Sequence, residues 1–157
     1  MSPNFSLNPS CRGVEEPLIF ASTAIASDLD DVKIAFDTFK KYQKTDDVRS
    51  LDLFTKDCKF IFTLTDGVKN EVVQLPTSVF LKDLKKIIAR KEGFKKSYED
   101  VKYAKERFGI RVTAMTVDSD GRREPFSALY LRSEKSDLLI KELKSTVVMA
   151  GNSQPEK

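Results

Sequence analysis

Residues Gly109 to Ser133 read GIRVTAMTVDSDGRREPFSALYLRS. Each arm is rich in β-branched, aliphatic or aromatic residues, and Asp118-Ser119-Asp120-Gly121 between them supplies turn chemistry, so the stretch predicts a long β-hairpin. One hairpin is not stable alone in water, and other elements must cover one of its faces. Alternation sets Arg111, Thr113 and Met115 on one face of the first arm, and Phe126, Ala128, Tyr130 and Arg132 on one face of the second. Ile110, Val112 and Ala114, opposite Leu129 and Leu131, give the other face its apolar character.

Upstream of the hairpin, the chain reads first as helices and then as a shorter hairpin. Ser27 followed by Asp30 resembles a capping box, after which Leu29, Val32, Phe36, Phe39 and Tyr42 recur at steps of three and four. A second short helix is expected over Asp46 to Phe54, capped by Asp46 or Asp47 and burying Val48, Leu51 and Phe54. The segment Cys58 to Thr65, CKFIFTLT, changes to a period of two, Asp66-Gly67 marks a turn, and Glu71 to Leu75 returns as a strand. Pro76 and Thr77 open a third helix with Phe80, Leu84, Ile87 and Ile88 as its apolar stripe and Gly93 as its left-handed cap. Lys85, Lys86, Arg90, Lys91, Lys95 and Lys96 form a basic run read as a solvated face that complements the helix dipole. Ser97 to Phe108 fits a helix or a strand equally, and Leu138 to Met149 is mixed, its end leaning towards strand.

The composition limits the function classes. The 157 residues suit one domain with its own core, and 40% hydrophobic with 32% charged residues is a globular balance. There are 27 Lys and Arg against 24 Asp and Glu, with the signs interspersed, so no nucleic-acid surface is expected. The chain has no histidine, which removes histidine triads, metal sites and general bases together. Cys11 and Cys58 read as free thiols; neither a metal nor an organic cofactor is expected. No apolar run approaches the ~20 residues of a membrane span, so no membrane partner is expected. Pro17 to Ser27, PLIFASTAIAS, follows Glu15 and Glu16, where a secretory signal would carry positive charge. The expectation is therefore cytoplasmic, with a periplasmic location left open. Residues 1–27 read as a flexible extension, 28–149 as the domain, and 150–157 as a disordered tail.

The stretch Phe39 to Phe62, FKKYQKTDDVRSLDLFTKDCKFIF, with Asp66-Gly67, resembles the nuclear transport factor 2-like superfamily. Asp47, Leu51, Phe54, Asp57 and Gly67 suit its pattern, and SEKSDLLIKELKSTVV (133–148) looks like its last turn and strand, without the Trp that members often carry near Leu138. The resemblance implies an α+β fold in which a curved, mostly antiparallel sheet wraps three N-terminal helices as a cone of cystatin-like arrangement. It resolves both ambiguous segments as strands, and it implies that Arg111, Thr113 and Met115 of one arm and Phe126, Ala128, Tyr130 and Arg132 of the other turn towards the helices.

The superfamily's chemistries were expected at particular positions. Against a ketosteroid isomerase, Thr38 stands for the tyrosine, Phe62 for the carboxylate base and Thr113 for the protonated aspartate, so all three are missing; a one-residue slip brings in only Asp37. Scytalone dehydratases and SnoaL-type cyclases rely on histidine. For a limonene epoxide hydrolase-like relay, Asp100, Arg111 and Arg132 are the available charges, at no spacing that specifies it. The reading therefore favours a non-catalytic small-ligand-binding or dimerisation module over an isomerase, dehydratase or hydrolase using Asp37, Asp100, Arg111, Tyr130 or Arg132, and over a protein-interaction domain. The residues expected to line a pocket, or else to fill it as core, are Phe36, Phe39, Tyr42, Phe60, Phe62, Phe80, Arg111, Thr113, Met115, Phe126, Tyr130 and Arg132. The expected partners are a second copy through the sheet face and a small apolar or anionic ligand.

Overall fold

A computed structural model of the protein describes residues 15–148, with side chains from residue 28. In chain order these are α1 (Glu15–Thr45), one 3-10 turn (Val48–Asp52), β1 (Phe54–Thr65), β2 (Asn70–Leu75), α2 (Thr77–Arg90), β3 (Ser97–Glu106), β4 (Gly109–Val117), β5 (Arg123–Arg132) and β6 (Leu138–Val148). The six strands form one sheet in the order β2-β1-β6-β5-β4-β3, antiparallel throughout except for the parallel pair of β1 and β6. Both helices pack on one face of it. The fold is thus α+β, with two α-helices where three helices were expected.

Helix α1 starts at Glu15, so the boundary expected at residue 27 falls inside a helix; residues 1–14 and the tail 150–157 lie outside the described residues. Val32, Phe36 and Phe39, at steps of four and three, carry its buried stripe. The expected second helix is one 3-10 turn capped by Asp47, whose carboxylate accepts from the Arg49 backbone N–H at 2.9 Å. The chain leaves helical geometry early because the sheet claims it. The Leu53 carbonyl accepts from Ile140 N at 2.8 Å, and Phe54 already pairs with Ile140 as the first residue of β1. Val48 is consequently 60% exposed, and Ser50 takes the inward place. On α2, Leu84 and Ile88 turn inward as expected, but Ile87 is exposed and the left-handed cap is Lys91, not Gly93. Gly93 instead donates its N–H to Asp46 Oδ2 at 2.8 Å.

The long hairpin forms where it was expected, but with a turn one residue different. Asp118 N donates to the Arg122 carbonyl at 3.1 Å, which closes a three-residue loop of Ser119, Asp120 and Gly121. Gly121 adopts φ +84°, the left-handed position such a loop requires. This odd loop places Ile110 opposite Tyr130, Val112 opposite Ala128 and Ala114 opposite Phe126. Directly opposed residues share a face, and a shift of one residue exchanges the faces of a whole strand. Ile110, Val112 and Ala114 are therefore buried beneath the helices with Phe126, Ala128 and Tyr130. Arg111, Thr113 and Met115 lie on the outer face, correcting the expectation that they turn towards the helices.

Two groups of aromatic rings fill the space between sheet and helices. Phe36, Phe39, Tyr98 and Phe126 form one, with Phe36 and Tyr98 edge to face at 5.3 Å between centroids. Phe54, Phe60, Phe62 and Phe80 form the other, with Phe60 and Phe80 stacked at 3.8 Å. Burying such rings contributes both transferred apolar area and favourable ring contacts.

Candidate functional site

The residues expected to line a pocket are divided by the structure into five places. Phe36, Phe39 and Phe126 belong to the first aromatic group, and Phe60, Phe62 and Phe80 to the second. Tyr42 stands apart, its ring 4.8 Å beneath the Arg49 guanidinium. Arg111, Thr113 and Met115 are on the outer face, while Tyr130 and Arg132 end β5 on the helix side.

Around these last two residues the surface opens into clefts. One, of about 360 Å³, lies between the α1 residues Asp28 and Val32, the β3–β4 turn with Phe108, and Tyr130. Another, of about 420 Å³, lies on the other side of Arg132 and Leu138 against Ile34, Ala35 and Thr38 of α1. Tyr130 borders both clefts and is 2% exposed, and its hydroxyl has no hydrogen-bond partner among the described residues. Burial pushes the phenol pKa up, and the neighbouring Tyr98 and Tyr103 add to the effect. At neutral pH the group is a hydrogen-bond donor without an acceptor. Leaving such a group unpaired costs about 1–3 kcal/mol.

Neither arginine offers a free charge. Arg132 reaches across to α1, where Nη2 meets Asp28 Oδ1 at 2.7 Å and Asp31 Oδ2 at 2.8 Å, while Nη1 donates to the Ser136 carbonyl at 2.7 Å. Those hydrogen bonds raise its pKa above the usual arginine value. Arg111 holds Glu106 at 2.6 Å, Glu142 at 3.0 Å and the Ser127 hydroxyl at 2.6 Å. Its guanidinium keeps the Glu106 carboxyl below the usual range. Asp28 and Asp31 sit three apart on α1, a spacing that could have marked them as a joint clamp for a cation. Glu106 and Glu142 carried no such signal, because only sheet pairing brings them to Arg111.

The residues weighed for catalysis do not converge. Asp37 is exposed and paired with Lys40 at 3.2 Å, Asp100 is paired with Arg123, and Thr38 Oγ1 donates to the Ile34 carbonyl within its own helix. Cys58 is buried, and burial, with the nearby Asp57 and Glu142 charges, pushes its thiol up to about 12, which leaves it a poor nucleophile. Among the described residues no three His, Cys, Asp or Glu side chains stand together as metal ligands, and no helix is long and apolar enough to cross a membrane.

The sequence matches no family model and no curated protein sequence. Solved structures do match the fold. A nuclear transport factor 2-like protein of unknown function from Pseudomonas putida superposes with a TM-score of 0.59 at 5% identity, covering 77% of this chain and 87% of that one. A protein from Novosphingobium aromaticivorans, described as nuclear transport factor 2-like with a cystatin-like fold, gives 0.57 at 8% identity over 88% and 93% of the two chains. A third, from Streptomyces avermitilis and provisionally assigned as a dehydratase of that family, gives 0.56 at 13% identity over 79% and 98%. At these identities the likeness is one of backbone alone, and on that ground the chain has the nuclear transport factor 2-like fold.

Proposed function

We propose that the chain is a non-catalytic binding module that holds a small, largely apolar molecule bearing one neutral hydrogen-bond acceptor in the clefts beside Tyr130. The observation that carries this reading is the Tyr130 hydroxyl, buried, protonated and without a partner where two clefts meet. A ligand carbonyl or ether placed there would satisfy it, and small-molecule sites are commonly apolar hollows with a few such polar groups. The paired state of Arg132 argues for a neutral ligand over an anionic one. An isomerase or dehydratase reading would have to rest on Asp52 or Asp137, which line one cleft but are exposed to water, because Asp28, Asp31 and Glu106 are tied to arginines.

A second copy pairing through the outer sheet face belongs to the same proposal. Its support is narrower than the sequence implied, because Ile110, Val112 and Ala114 are buried inside. Met115, Leu129 and Leu131 remain on that face, half-exposed around the neutralised Arg111. Sedimentation of Leu129→Glu against the unmodified protein tests it; a dimer that persists unchanged removes this surface from the interface.

The ligand reading is tested by ligand-observed NMR with a series of cyclic ketones on the unmodified protein and on Tyr130→Phe. Loss of one hydrogen bond should weaken binding about tenfold. Equal affinity for both proteins, or no binding of any ketone, overturns it.

A further inference from the structure

Helix α2 presents to solvent a line of cations that no ion pair among the described residues engages. With Leu84 and Ile88 turned inward, Val79, Lys82, Lys86 and Arg90 fall at steps of three and four on the opposite side, with Lys85 and Lys91 beside them, and all six are exposed. Asp83, four residues after Val79 and three before Lys86, is the one acid at the edge of this face, and Glu92 follows the helix; both are exposed. No ion pair among the described residues involves Lys82, Lys85, Lys86, Arg90 or Lys91.

The helix dipole accounts for part of this arrangement only. Cations are favoured in the last turn, which covers Arg90 and Lys91, but the effect fades within a turn and does not reach Lys82 or Lys86. Like charges four residues apart on a helix repel, and Lys82, Lys86 and Arg90 make two such pairs in series. The whole chain carries a formal charge of +3. Charges that alternate along the sequence are thus sorted in space, leaving one helix face locally far more basic than the molecule as a whole.

We propose that this face of α2 docks on an anionic lipid surface. Charge complementarity selects the partner's sign, and two exposed aliphatic residues select its kind. Val79 is 43% exposed and Ile87 51% exposed, one on the cationic line and one at its margin. On a bilayer they would enter the headgroup boundary while the Lys and Arg stems extend to the phosphates, the arrangement of peripheral amphipathic helices. A single-stranded nucleic acid would need aromatic rings to stack on, and the aromatic residue of α2, Phe80, is stacked inside on Phe60. The contact is one of surface adhesion and does not depend on the Tyr130 clefts.

Co-sedimentation of the full chain with phosphatidylcholine vesicles containing phosphatidylserine tests the proposal, with pure phosphatidylcholine vesicles and a DNA duplex as comparisons. Binding to the anionic vesicles alone is expected, lost at high salt, and weakened about 100-fold in Lys82→Gln/Lys86→Gln/Arg90→Gln. Circular dichroism of that variant checks that the helix persists; if it does not, Lys82→Gln/Lys86→Gln alone should weaken binding more than tenfold. Equal binding by variant and parent, equal binding to neutral vesicles, or retention on DNA without retention on vesicles overturns the proposal.

Discussion

Removing one oxygen from either of two buried tyrosines should change stability in opposite directions. Tyr130 and Tyr98 both face the helices, and burial raises the pKa of both. Their hydroxyls differ in one respect: that of Tyr98 donates to Gln43 Oε1 at 2.8 Å, whereas that of Tyr130 has no partner. Tyr130→Phe deletes an unsatisfied donor and should stabilise the free protein by about 1 kcal/mol, the lower end of the penalty for an unpaired buried polar group. Tyr98→Phe deletes a made bond and strands the Gln43 carbonyl, which should cost about 1–2 kcal/mol. For a chain of this size each kcal/mol moves the melting temperature by roughly 2–4 °C. Thermal melts followed by circular dichroism should therefore show Tyr130→Phe above the parent and Tyr98→Phe below it. Both variants melting below the parent by similar amounts would refute the reasoning, because Tyr130 would then have a partner in solution.

Three further outcomes are expected. In Gly109→Ala the new methyl would stand 2.2 Å from the Tyr130 carbonyl oxygen, so chemical denaturation should report a loss of about 3 kcal/mol; Gly121→Ala meets no atom within 4 Å and loses only the left-handed preference, about 1 kcal/mol. Arg111→Met leaves Glu142, a half-buried carboxylate, with only Lys144 at 3.8 Å and should cost about 1–3 kcal/mol, most of it recovered when Glu142→Leu is added; no recovery in the double variant denies that the pair is coupled. Stability should also fall on both sides of neutrality. Cys58, Tyr98 and Tyr130 have raised pKa values and are neutral when protonated, so their contribution is complete below about pH 9 and is lost towards and beyond pH 12. Asp57, Asp66, Glu106 and Asp118 have lowered values, so theirs is complete above the ordinary carboxylate range and is lost as pH falls below it. Urea midpoints measured across pH check both limbs; a flat alkaline limb contradicts the burial of those three groups.

Elements and their order were readable from the chain because they rest on local signals. The period of two in Cys58 to Thr65, the Asp-Gly turn after it and the Pro-Thr opening of α2 each act over a few residues, and these three features formed within a few residues of their expected places. What was not readable depended on partners distant in sequence. The short turn after Asp47 ends because Ile140 takes the Leu53 carbonyl, and no local pattern announces that. The faces of β4 depend on the loop holding an odd number of residues, Ser119 to Gly121, a count that Asp, Ser and Gly composition leaves open. That count moved Arg111 from the interior to the outer face and Ile110, Val112 and Ala114 from an interface to the core. The candidate site was only partly legible for the same reason: the alternation of its own strand sets Tyr130 on the helix side, while Glu142, Asp28 and Asp31, three of the four carboxylates that occupy Arg111 and Arg132, come from elements far along the chain.

The position of β6 has a consequence for how the molecule assembles. It is the last of the described strands but lies third in the sheet, parallel to β1 on one side and antiparallel to β5 on the other. Until residues 138–148 are in place, β1 with β2 and β5 with β4 and β3 are two separate ribbons, each with an open edge. The first strand synthesised must therefore wait for the final one, and Phe60 cannot be sealed against Leu143 while the chain is still being made. Nascent chains halted before Leu138 should expose two sticky edges at once and depend on a chaperone, whereas completion of this one segment joins both ribbons in a single step.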